Sequence, residues 1–295
     1  MRRGIIEIVT TAEALAGWSG SDFEWIELEN RSPVVTLDLT DVRFTQGVSV
    51  DIPAGTMLAP GARCLVVRSS AAFTMRHGTA ARIVGEFATS RLDNGGEPLK
   101  LSYGGGVPIR EFRYDDDTPW PTGARGTGFS ISFLPSSSVD FQGDGAHWRS
   151  VPATPGGANV FPSGWDSWLR NYFNPSDAAF TAQSAPHVDP DGDGESNVVE
   201  YLLGSSPVSI SSVGSLASGI VSLNGESFPT ISFIARSDVT LTPEFSTNMT
   251  QWSGMTLVLV SNTLLADGTT RTTMRDTTAM SVGSRRYLRI RVARP

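Results

Sequence analysis

Carboxylates recur in this chain at Asp189, Asp191, Asp193 and Glu200, with Gly194 and Asn197 set among them. Counted from Asp189, the acids stand at positions 1, 3, 5 and 12, the glycine at 6 and the asparagine at 9. That is the spacing D-x-[DN]-x-[DN]-G-x5-E. Carboxylates gathered into so tight a bend repel one another unless a cation lies among them. The ion that suits such a set is hard and takes several oxygen ligands, which describes calcium. Asp189, Asp191 and Asp193 would each give a carboxylate oxygen and Glu195 its backbone carbonyl. Asn197 would hold a bridging water, and Glu200 would close the shell with both oxygens. Gly194 suits the sharp turn because it reaches positive φ without a Cβ penalty. The competing reading is a solvated acidic turn, since Asp-Gly repeats also build ordinary turns. The match at every position of the pattern favours the ion.

The elements around the loop follow from the same stretch. Pro186 and Pro190 flank the first ligand, and proline inside a helix costs about 3 kcal/mol, so no helix runs into the loop. One short helix is predicted after it, over 197–203, with Gly204 just past its end. Upstream, Trp165, Trp168, Leu169 and Tyr172 recur at i, i+3, i+4 and i+7, one face of a helix over 165–173. Asn174-Pro175 ends that pattern. A segment this small buries little apolar surface alone, so metal binding and folding are expected to be coupled. Ser196 stands where a paired EF-hand usually carries an apolar residue, and the sequence holds no second loop of this type. The stretch through Glu200-Tyr201-Leu202-Leu203-Gly204-Ser205-Ser206-Pro207 resembles half of a dockerin and the "DxDGDG-sN-EY-lG-P" connector of exported bacterial proteins. The resemblance implies an EF-hand-like loop and an extracellular or cell-surface location.

Composition sets the outer bounds. The 295 residues can hold two or three domains, and no stretch approaches the eighteen or so apolar residues of a membrane span. Between Arg170 and Arg236 there is no Lys or Arg, while seven acids lie there, as many as the formal net charge of −7. An acidic belt with no basic stripe argues against a nucleic-acid partner, since phosphate binding needs clustered cations. Cys64 is alone, which excludes a disulfide framework, and is expected to be a buried small apolar residue. Met1-Arg2-Arg3 and the apolar residues after it are broken by Glu7, Thr10, Thr11 and Glu13, so a secretion leader is rejected in favour of a first strand over 5–9. An export signal would then lie upstream, in a longer protein.

Short β-like runs separated by turn residues fill 1–160 and show no helical pattern, which indicates an all-β sandwich or barrel. They include 34–39, 42–44, 48–52, 64–68, 83–87, 99–103, 109–114 and 130–134. In Phe23-Glu24-Trp25-Ile26-Glu27-Leu28-Glu29, alternation puts Phe23, Trp25 and Glu27 on one face and Glu24, Ile26 and Leu28 on the other. Asp22 to Asn30 looks like the "eyIEL-N" strand of the lamin-tail domain. Further pieces follow in that family's order: Leu37-Asp38-Leu39, Leu58-Ala59-Pro60-Gly61, Leu92-Asp93-Asn94-Gly95-Gly96-Glu97, Tyr114-Asp115-Asp116, Pro119-Trp120-Pro121, Gly128-Phe129-Ser130-Ile131, Trp148 and Thr154-Pro155-Gly156-Gly157-Ala158-Asn159. The ordered set covers about half of the chain. What the resemblance implies is a bacterial lamin-tail module with an immunoglobulin-like sandwich and no catalytic site. After a Ser/Gly-rich linker the chain is β-like again over 220–223, 230–235, 240–245, 255–260, 270–275 and 287–292, a second and smaller sandwich. The expected organisation is 1–160 lamin-tail-like, 161–207 connector and 208–295 C-terminal β-domain.

Other groups offer weaker chemistry. His77, His147 and His187 show no metal-ligand spacing and stand beside no plausible nucleophile, so structural roles are expected. Asp115-Asp116-Asp117 can be read as an acid and base pair or a second cation site, against a solvated turn. Trp18, Trp120 and Trp148 can be read as a sugar-stacking platform, against core packing. The expected function is a non-catalytic, calcium-binding spacer or binding part of a larger envelope protein, whose partner is a surface protein or glycan. The alternative is a carbohydrate-binding accessory region of a polysaccharide-acting enzyme.

Overall fold

The computed structural model describes residues 3–294 except 11–13, 16, 136, 162, 163, 213, 215, 266–268 and 281–284. Met1, Arg2, Thr11 and Glu13, which bear on the rejected leader, lie outside the described residues, as do two positions of the linker after 207. The chain is mainly β and divides into two compact units. The first comprises 1–162 and 169–180, and the second 163–168 and 181–295. The stretch 161–207 is therefore shared between them. Among the described residues, no helix is long and apolar enough to cross a membrane.

The first unit is a sandwich. Its larger sheet sets six strands side by side: Trp148–Pro152, Phe129–Phe133, Arg3–Val9, Trp25–Asn30, Arg63–Val67 and Ile83–Glu86. Neighbours are antiparallel except the last pair, which is parallel. The facing sheet has the order Val107–Arg113, Pro98–Tyr103, Val42–Gln46, Val50–Asp51. Gly104-Gly105-Gly106 closes the hairpin between its first two strands, with the Gly106 N–H bonded to Tyr103 O at 3.2 Å. Ile5, Ile8, Ile26 and Leu28 from one sheet meet Val42, Phe44, Leu99 and Leu101 from the other in a single core.

The predicted alternation along 23–29 holds for Ile26 and Leu28, yet its outer face is also buried. Trp25 packs with Val9, Leu65, Val67 and Phe73 in a second apolar cluster. The cover comes partly from an element the sequence pattern did not show, the helix Ser70–His77. Ser69 caps it by accepting the Ala72 N–H, and Gly78 follows it at φ 76°. Its buried residues are only Ala72 and Phe73, too few to trace an apolar stripe in sequence. Of 34–39 only Leu37–Asp38 is a strand, paired with Met57–Leu58, and Val34 and Val35 are exposed. Cys64 is fully buried in the core, and burial pushes its thiol up to about 12.

The second unit pairs two smaller sheets. One has the order Ala217–Leu223, Glu226–Ile234, Thr270–Asp276, Leu257–Leu264, and the other Ser253–Gly254, Thr240–Ser246, Tyr287–Ala293. Ile231, Phe233, Leu257 and Met274 from the first meet Leu241, Ile290 and Val292 from the second. Leu202, which belongs to neither sheet, completes that core. It comes from the helix Asn197–Leu203, so the segment after the acidic loop is part of this sandwich.

Candidate metal centre

Asp189 to Glu195 form a bend without regular structure, between the short helix Phe180–Gln183 and the helix Asn197–Leu203. Backbone clips close it: the Asn197 N–H bonds Val188 O at 2.8 Å and the Val198 N–H bonds Pro186 O at 3.0 Å. The Asn197 side chain is fully buried and donates Nδ2 to Gln183 O at 2.7 Å and Ala185 O at 2.8 Å. Its Oδ1 has no hydrogen-bond partner. Gly192 at φ 78° and Gly194 at φ 97° take the left-handed backbone that such a bend requires.

The loop organises its own carboxylates. Asp189 accepts the Gly192 N–H on Oδ1 at 2.8 Å and the Gly194 N–H on Oδ2 at 2.9 Å. Asp191 Oδ1 accepts the Asp193 N–H at 3.2 Å, and Asp193 Oδ1 accepts the Glu195 N–H at 2.8 Å. As a result Asp189, Asp191 and Asp193 bring one oxygen each within 4.8 Å of one another. Asp191 Oδ2 is buried without a hydrogen bond.

Glu200 carries the most information. It is fully buried, and neither of its carboxylate oxygens has a hydrogen-bond partner. A bare buried carboxylate is costly, and such groups are paired or bound to metal when they ionise. Burial, followed by the charges of Asp191, Asp193, Glu195 and Asp189, pushes its pKa up to about 8. The charges of all the other acids of the loop therefore act on Glu200. Of the six residues predicted to build the shell, Asp189, Asp191 and Asp193 are gathered within 4.8 Å; Glu200 lies outside that cluster and is reached by its charges. Asn197 presents a free amide oxygen, and the Glu195 side chain lies near Ser205 with no hydrogen bond to its hydroxyl.

The helix that carries Glu200 is anchored by its next residues. Tyr201 is fully buried, and its hydroxyl donates to Asp238 Oδ1 at 2.9 Å. Asp238 Oδ2 accepts the Trp165 N–H at 2.8 Å. The rings of Trp165 and Trp168 lie 5.4 and 5.5 Å from Tyr201, and the Arg236 guanidinium covers it at 4.3 Å. The helix expected over 165–173 is shorter than its periodicity implied, spanning Trp165–Leu169. The chain beyond it bends so that Asn174 can donate to Arg125 O at 3.0 Å.

Asp115, Asp116 and Asp117 also approach within 4.8 Å, but Asp115 and Asp116 are already engaged. Asp115 Oδ1 accepts the N–H groups of Asp116 and Asp117 at 2.9 and 3.3 Å, and Oδ2 meets Arg113 at 3.2 Å. Asp116 pairs with Arg125 at 2.9 Å. This is a salt-bridged turn. Asp116→Asn should cost at most about 1 kcal/mol, the range of exposed ion pairs, and leave the calcium response unchanged; denaturant titration with and without calcium checks both.

Trp120 and Trp148 lie in the core, 5.5 Å apart, and Trp18 packs against Phe23 and Ala72. They form no exposed sugar platform. His147, expected to lack a plausible nucleophile neighbour, has one. Its Nδ1 lies 2.7 Å from Ser137 Oγ, with Asp144 3.8 Å from Nε2. Asp144 is beyond hydrogen-bond distance of the ring and its Oδ1 accepts the Ala146 N–H, so no relay of hydrogen bonds runs through the three. Phe141 stacks on the imidazole at 4.7 Å, a contact that packs the loop.

A scan against protein-family models, a search of curated proteins and a search of solved structures each found no match to this chain.

Proposed function

We propose that the chain is a calcium-stapled, non-catalytic module of an extracellular or cell-surface protein, in which the ion fixes the helix that completes the second sandwich. The supporting observation is Glu200, a fully buried carboxylate with both oxygens unpartnered, at position 12 of a loop whose other acids raise its pKa. Calcium ligated by Asp189, Asp191, Asp193, the Glu195 carbonyl and Glu200 would neutralise that cluster. Because Tyr201 and Leu202 follow Glu200 directly and are core residues, holding Glu200 also holds the core. The lamin-tail resemblance of 1–160 supports a spacer or binding role within a larger envelope protein, with a surface protein or glycan as partner. The carbohydrate-binding alternative receives no support from Trp120 or Trp148, which are buried.

Equilibrium binding tests the metal directly. Extracellular sites of this type bind calcium with Kd about 10⁻⁴–10⁻³ M, so titration calorimetry on the full chain should show one site in that range. Heats of dilution alone, up to several millimolar calcium, would remove the reading.

A further inference from the structure

Glu7 and Glu27 face one another across adjacent strands of the first unit, directly paired in the register, and both are fully buried. A register shift between Ile5 and Glu7 is what sends Ile5 and Ile8 into the core while Glu7 joins Glu27 on the other face. Opposite residues of an antiparallel pair hold their Cβ atoms roughly 4.5–5.5 Å apart, and like charges there are destabilising. Each carboxylate takes one backbone N–H from the turn that follows the strand Trp148–Pro152. Thr154 donates to Glu7 Oε1 at 3.2 Å, and Gly156 donates to Glu27 Oε2. Glu7 Oε2 and Glu27 Oε1 have no hydrogen bond.

The groups around the pair do not neutralise it. Ser130 and Ser132 on the next strand lie near Glu7, but their hydroxyls bond one another at 3.0 Å. The facing cation is Arg63, whose Nη1 is 3.6 Å from Glu27 Oε1. That guanidinium also bonds Glu29 at 3.0 Å and Asn159 at 3.0 Å. Arg63 thus pairs with Glu27 and Glu29, and Glu29 also has Arg31 at 3.7 Å. Among the described residues Glu7 has no ion pair, although Glu7 and Glu27 are both shut away from water.

We propose that Glu7 and Glu27 keep at least one proton between them and form a pH-operated latch on the strap 153–157, closed while a proton is present and released as the last is lost. With one carboxyl neutral, a single charge remains for Arg63 and the strap N–H groups to satisfy. Ionising both requires water, and lifting the strap that lies over them would admit it. Burial pushes Glu7 up to about 7 and Glu27 up to about 8, from 4.5 for the free side chain. The folded state therefore binds more protons than the unfolded chain through this window. The latch contributes in full below about 4.5 and is lost as pH rises through about 7 to 8.

Hydrogen exchange of the full-length chain between pH 6 and 9, corrected for the intrinsic rate, tests this at the strap itself. Protection of the Thr154 and Gly156 amides should fall at least about tenfold over that range in the wild type. In Glu7→Gln or Glu27→Gln only one charge can form, so the profile should be flat; the control Glu29→Gln should keep the wild-type fall. A flat wild-type profile overturns the proposal whatever the variants do, and so does an unchanged fall in a folded Gln variant.

Discussion

Glu200→Gln should destabilise the second unit in calcium and stabilise it in chelator. In calcium the variant loses a bidentate ligand and with it the gain from binding. At ~2 mM calcium and a Kd of about 10⁻⁴–10⁻³ M, that gain is about 0.7–1.8 kcal/mol. In chelator, at a pH above about 8 where Glu200 is ionised, the wild type keeps a buried carboxylate with no hydrogen bond, under the charges of Asp191, Asp193, Glu195 and Asp189. The glutamine amide removes that charge and offers N–H donors to the same carboxylates. The expected gain is on the order of 1–3 kcal/mol, the scale of satisfying a buried polar group. Scanning calorimetry of both proteins in calcium and in chelator should show the order of melting temperatures reversing. Glu200→Ala separates the terms further, since it removes the charge without supplying a donor. Wild-type transitions that coincide in calcium and chelator would sink the staple.

Trp148→Ala should cost the first unit about 3–5 kcal/mol, the range for emptying a large aromatic site in a core. Trp148 is fully buried, with Phe133, Trp120 and Phe112 at 5.2, 5.5 and 5.8 Å between ring centroids. Its Nε1 donates to Gln142 O at 3.0 Å. Gln142 is buried in turn and its Nε2 donates to Ile5 O, so the indole holds a chain of contacts into the first strand. Alanine would open a cavity and leave the Gln142 carbonyl without this donor. Trp148→Phe keeps most of the ring and isolates the hydrogen bond, at about 1–3 kcal/mol for the stranded acceptor. Denaturant unfolding would place both variants. A loss under about 1 kcal/mol for alanine would mean that the aromatic cluster is not the centre of this core. The same burial means that loss of glycan binding on Trp120→Ala would report unfolding of the site, so exposed residues must be mutated to locate a ligand surface.

The acidic loop was legible because its requirements are local. Twelve consecutive residues supply the bend, the glycines and every proposed ligand, so spacing alone brings Asp189, Asp191 and Asp193 together. The same holds for Gly204 after its helix, where short-range backbone geometry decides the outcome. The strands of the second unit were legible as runs of β-prone residues, though their ends moved by several positions because ladder partners set them.

What the sequence by itself determined is therefore the chain's short-range chemistry: a mainly β architecture, one carboxylate-rich bend and the helix after it. Tertiary structure alone decided which faces meet water. Alternation along 23–29 reveals two faces but cannot say that both are covered, and only that double cover makes Glu7 and Glu27 a buried pair. Nor can spacing tell that Asp115 and Asp116 are engaged by Arg113, Arg125 and their own turn while Glu200 has no such partner. An ionisable group's behaviour depends on the charges and water around it, and these come from residues distant in sequence that only folding brings near.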